Sequence, residues 1–70
     1  MYRISRVSAL SEIMEKIEND NYEEANRMIT IVSNSIKKDK KNNKYSSYIE
    51  LKNKKEAQLF QNIIQDTEQD

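Results

Sequence analysis

The side chains of this 70-residue chain that could do chemistry are hydroxyls, phenols, amines and carboxylates, because it contains no histidine and no cysteine. Thiol chemistry, disulfides, Cys- or His-based zinc sites and imidazole acid–base catalysis are thereby excluded. Glycine is absent as well, which excludes phosphate-cradling loops, since these need backbone without Cβ. A carboxylate pair, or Lys, Tyr or Ser beside a carboxylate, does acid–base work only in a pocket that shifts its pKa. Seventy residues leave little room for a pocket of about 300 Å³. The reading is therefore of a chain without catalytic residues, cofactor, metal or small-molecule substrate.

Charge offers a different chemistry. Twelve Lys+Arg balance twelve Asp+Glu, but the balance hides segregation. Residues 12–26 carry six acids and one base, residues 37–55 carry eight lysines against Asp39 and Glu50, and residues 56–70 carry four acids. The lysines (Lys37, Lys38, Lys40, Lys41, Lys44, Lys52, Lys54 and Lys55) could follow a phosphate backbone, with Tyr45 and Tyr48 stacking on bases. A phosphate-binding surface usually shows domain-level basicity and arginine, whereas this segment has no arginine and the chain as a whole has no excess positive charge. Nucleic-acid binding is thus the alternative expectation. An acidic face over 12–24 docking a basic partner, or acidic and basic segments pairing within or between copies, are further uses of the same pattern.

The elements that must position these groups follow from periodicity. Proline is absent along with glycine, so the tight turns of a small β-protein would rest on Asn and Asp alone. Composition therefore predicts an all-α chain. Ser5 or Ser8 caps a first helix over 5–19, in which Val7, Leu10, Met14 and Ile17 recur at 3,4,3 spacing, broadened by Ile13. Glu12, Glu15, Lys16 and Glu18 form its polar face, and Asn19-Asp20-Asn21 ends it, since Asn and Asp tolerate the left-handed region. Asn21 and Glu24 form a capping box for a second helix over 21–40, with Tyr22, Ala25, Ile29, Val32 and Ile36 as an uninterrupted seam. That seam serves the αα-hairpin, a dimer interface, or both.

Residues 37–44 hold no apolar side chain and read as a frayed helix end or linker. A third helix is expected over 46–65, with Ser47 and Glu50 as a capping box. Tyr45, Ile49, Phe60 and Ile63 lie on one side, and a polar waist runs from Lys52 to Glu56. Lys52 and Glu56 are spaced to pair across one turn. Residues 66–70 form an acidic, frayed tail.

The string Asn19-Asp20-Asn21-Tyr22-Glu23-Glu24-Ala25-Asn26-Arg27-Met28-Ile29 resembles the turn and second-helix start of tetratricopeptide hairpins. It is also similar to the helical hairpin at the end of nucleotide-excision-repair subunits. The resemblance implies a close hairpin with bulky Tyr22 at the first turn and small Ala25 at the crossing; it assigns no family.

A helical domain of this size draws only about 3–5 kcal/mol from its core without staples, and no disulfide is available here. A homodimeric helical bundle is the expected remedy. The function expected is that of a small protein-binding regulator or inhibitor acting stoichiometrically through helix faces. Tyr45, Tyr48, Leu51, Leu59, Phe60 and Ile63 are its partner-binding residues. No apolar run approaches the about 20 residues of a membrane span, and no signal peptide follows Met1. The chain reads as a complete cytoplasmic protein, of a residue usage that suits a low-GC bacterium, phage or plasmid.

Overall fold

The structure, a computed structural model, describes residues 2–61. Its elements run β1 (Tyr2–Ser5), α1 (Arg6–Glu18), α2 (Tyr22–Lys41), β2 (Tyr48–Leu51) and α3 (Lys54–Leu59). The chain is mostly helical, as composition predicts, but it is not all-α: β1 and β2 form an antiparallel two-stranded sheet. Tyr2 pairs with Leu51, Arg3 with Glu50, Ile4 with Ile49 and Ser5 with Tyr48. Both strands alternate, so Ile4, Ile49 and Leu51 go inward while Arg3 and Tyr48 stay exposed.

The absence of glycine and proline did not forbid this sheet because its strands are joined by the whole α1–α2 hairpin rather than by a tight turn. Ser47 and Glu50 accordingly form no capping box. The backbone N–H of Arg6 instead donates to the Ser47 carbonyl at 2.9 Å, extending the strand ladder into the start of α1. The polar waist is the junction between β2 and α3. Asn53 caps α3 by accepting from the Glu56 N–H at 2.9 Å, and the Glu56 carboxylate reaches back to accept from the Lys52 N–H at 2.8 Å. The expected side-chain pair of Lys52 and Glu56 is thus replaced by a bond to backbone.

α1 and α2 are antiparallel. Arg6 pairs with Asp39 and Lys16 with Glu24, both at 2.9 Å, tying opposite ends of the hairpin. Ser5 caps α1, accepting from the Ser8 N–H at 3.1 Å. Asn21 occupies the cap position of α2 but makes no side-chain cap bond; its amide donates to the Glu24 carboxylate instead. Each long helix ends in a left-handed residue, Asp20 (φ 62°) and Asn43 (φ 53°). Both ends close in the same double pattern. The Asp20 N–H donates to the Ile17 carbonyl and Asn21 to Lys16; the Asn43 N–H donates to Lys40 and Lys44 to Asp39. Two Asn/Asp residues thereby do what glycine usually does at helix ends.

The sheet and α3 pack against one side of the hairpin. The core holds Ile4, Ala9, Ile13, Ala25, Met28, Val32, Ile49, Leu51, Ala57 and Phe60. Among the described residues, three of these ten are alanines.

Candidate partner-binding surface

The first helix packs by a face about a third of a turn away from its 3,4,3 apolar stripe, sharing only Ile13 with the face its spacing suggests. Ala9 and Ile13 are buried, and so is Glu12, which sequence reading assigns to solvent. Val7, Leu10, Met14 and Ile17 are exposed, Val7 by 77% and Met14 by 61%. The seam on α2 is divided: Ala25 and Val32 face the core, together with Met28 from outside the seam, while Tyr22, Ile29 and Ile36 are exposed.

Helix geometry brings the two exposed stripes together. On α2, Ser35 faces β2 by accepting the Glu50 N–H, whereas Asp39, about 40° further round the helix, faces α1 through its ion pair with Arg6. At about 100° per residue, Tyr22, Ile29 and Ile36 follow next in the same rotational sense, beyond the α1 side. On α1, Arg6 and Lys16 face α2, and Val7, Leu10, Met14 and Ile17 again follow beyond them. Because the helices are antiparallel, both stripes emerge on the side of the hairpin away from the sheet. Ile17 lies toward the turn with Tyr22, and Val7 lies at the open end with Ile36. No charged residue interrupts either stripe between its first and last apolar positions. Each ends in a charge one turn further on: Glu18 follows Met14 by four residues at the turn end, and Lys40 follows Ile36 by four at the open end.

The residues expected to bind a partner are placed differently. Leu51 and Phe60 are fully buried and belong to the core, so neither can form part of a docking surface. Leu59 is half-buried against that core, and Ile63 lies outside the described residues, as does the acidic tail. Tyr45 and Tyr48 are exposed, but the guanidinium of Arg6 stands 5.1 Å from the Tyr45 ring centre and that of Arg3 stands 5.7 Å from Tyr48. One face of each ring is therefore taken by the chain's own arginine. Arg6 is itself mostly buried, its Nε without a hydrogen-bond partner.

The lysines at 37, 38, 40, 41, 44, 52, 54 and 55 are all exposed. Four of them occupy five successive positions in the last turns of α2, spread over about half of the helix circumference, with Asp39 turned the other way toward α1. Lys38 lies 4.0 Å from Glu50. It borders a cleft of about 290 Å³ between α2 and the β2–α3 junction, with Ser35, Glu50, Lys52 and Glu56. The polar groups there are engaged in structural bonds: Ser35 with the Glu50 N–H and Glu56 with the Lys52 N–H. On the α1–α2 side, the hydrogen bond from Lys16 holds the Glu24 carboxyl below its ordinary pKa, and the same bond raises the Lys16 ammonium. Among the described residues, no group of three or more His, Cys, Asp or Glu is placed to hold a metal ion, and no helix is long and apolar enough to cross a membrane.

Fold and surface together define a small, mostly helical βααβα domain whose most distinctive exposed feature is an apolar helical face. No protein family, no curated protein and no solved structure matches this chain.

Proposed function

We propose that this chain acts without catalysis, as a small regulator or inhibitor that binds a protein stoichiometrically through the outer face of its α1–α2 hairpin. The observation that supports this reading is the exposure of Val7, Leu10, Met14 and Ile17, a stripe spaced like a buried helix seam yet open to solvent. Contiguous apolar surface on a helix is the feature that groove and bundle recognition uses. Its length suits a helical partner: α1 has 13 residues, about 20 Å at 1.5 Å per residue.

A photo-reactive residue in place of Met14, which is exposed, tests the reading in the cells that encode the protein. The expected result is capture of a protein in one-to-one ratio with the chain, lost when Leu10 and Ile17 are both replaced by Asp. A chain that cross-links to no protein at all, neither another copy nor a different one, would overturn it.

A further inference from the structure

We infer that the outer face of the hairpin is closed by a second copy of this chain, packed antiparallel so that the turn end of one hairpin lies on the open end of the other. This rests on the reading that the face binds protein, and it makes another copy of the chain the first protein bound there, so that a regulated target would have to displace that copy or meet the dimer by other helix faces.

Three observations carry it. The first is charge. The α1 stripe ends in Glu18 beside the turn that holds Asp20, and the α2 stripe ends in Lys40 beside Lys37 at the other end of the hairpin; all four residues are exposed. The face is thus apolar along its middle, negative at one end and positive at the other. A two-fold axis lying in the interface and across the helices sets α1 on α1 and brings the acidic turn end that holds Glu18 to the basic open end that holds Lys40 on the neighbouring helix, whereas parallel packing would set acid against acid. A surface of this kind is its own complement, as an isologous interface requires.

The second observation is spacing. The α1 stripe runs 3,4,3 and the exposed α2 positions recur every seven residues. Side chains so spaced interdigitate in the shallow crossings of four-helix bundles, and two facing hairpins supply four helices.

The third is size. Two helices about 10 Å apart and about 20 Å long present a face of about 400 Å² in projection. Its accessible area is larger, on the scale of the smaller specific interfaces, which bury about 600 Å² per partner. Among the described residues, three of the ten buried apolar ones in the core it would supplement are alanine, and the chain has no cysteine for a disulfide. Association is the usual remedy for a core of that size.

Sedimentation equilibrium of the purified chain tests the inference. At about 50 µM, above the micromolar dissociation constant of a modest interface of this size, the expected mass is twice 8.3 kDa. Met14→Asp, at a 61% exposed position, should raise the dissociation constant at least about tenfold by placing charge in the seam, with the helical circular dichroism retained. Glu18→Lys and Lys40→Glu should each weaken the dimer about threefold, and the double variant should recover most of the loss. A wild type of 8.3 kDa at this concentration would overturn the inference, even if position 14 still cross-linked to a different protein, which would leave the broader reading intact. A folded Met14→Asp that dimerises like the wild type overturns it too. A double variant weaker than either single one overturns the antiparallel arrangement.

Discussion

Arg6 and Asp39 join the two long helices at the open end of the hairpin, with side chains only 17% and 16% exposed. Asp39→Ala would leave a mostly covered guanidinium without its carboxylate, and we expect a loss of about 2 kcal/mol in urea unfolding. Lys38→Ala removes an exposed partner of Glu50 at 4.0 Å and should cost less than about 0.5 kcal/mol. The pair at the other end, Lys16 and Glu24, is partly exposed and makes a weaker contribution with a definite pH signature. Glu24 titrates below its ordinary pKa because Lys16 bonds its charged form, so its share of stability is present above the ordinary glutamate range and lost as pH falls through the lowered value. Lys16 titrates above its ordinary pKa, so its share is present below the ordinary lysine value and lost as pH rises through the raised one. The stability difference between wild type and Glu24→Gln should accordingly be flat near neutrality and shrink at both extremes. A difference that grew in acid would contradict the assignment.

The elements owe their ends to polar side chains, and this is where sequence reading was most accurate for α1 and least accurate after residue 44. Asn19-Asp20-Asn21 stops α1 by the mechanism expected, Asp20 taking φ 62°, and Asn43 does the same for α2 at φ 53°. Asn43→Val should destabilise the chain by about 1–2 kcal/mol, since a β-branched residue is strained in the left-handed region, while Asn43→Gly should cost nothing. Equal unfolding midpoints for the Val and Gly variants would contradict that role. The segment 45–53 misled because Ser47 and Glu50 have capping-box spacing and Tyr45 and Ile49 have helical spacing. Nothing local distinguished them from Tyr48-Ile49-Glu50-Leu51 alternating in a strand. The true cap, Asn53 with Glu56, lay one turn further on inside what looked like a polar waist.

At the level of the whole molecule, the division of apolar residues decides behaviour. If the outer face of the hairpin is an interface, folding and association are linked, and the unfolding temperature should rise with chain concentration. Differential scanning calorimetry over a hundredfold range of concentration should show that rise for the wild type and lose it for Met14→Asp. An unfolding temperature independent of concentration in the wild type would place the face outside the folding equilibrium. The cleft beside Ser35 and Lys38 is unlike that face, because its hydroxyl and carboxylates already serve the backbone of β2 and the start of α3.

The sequence by itself determined the helical hairpin, its turn and the end of α1, because these depend on residues within a few positions of each other: cap hydroxyl, left-handed Asn or Asp, and apolar period. It also showed that Val7, Leu10, Met14 and Ile17 form one stripe. Only the tertiary structure decided which way that stripe faces, since burial depends on what else reaches the helix. β1 pairs with β2 across more than forty residues, and the sheet together with α2 covers the Ala9–Ile13 side of α1, leaving the larger side chains outside. Periodicity records that a face is made for packing; the partner, whether within the chain or beyond it, is settled by contacts distant in sequence.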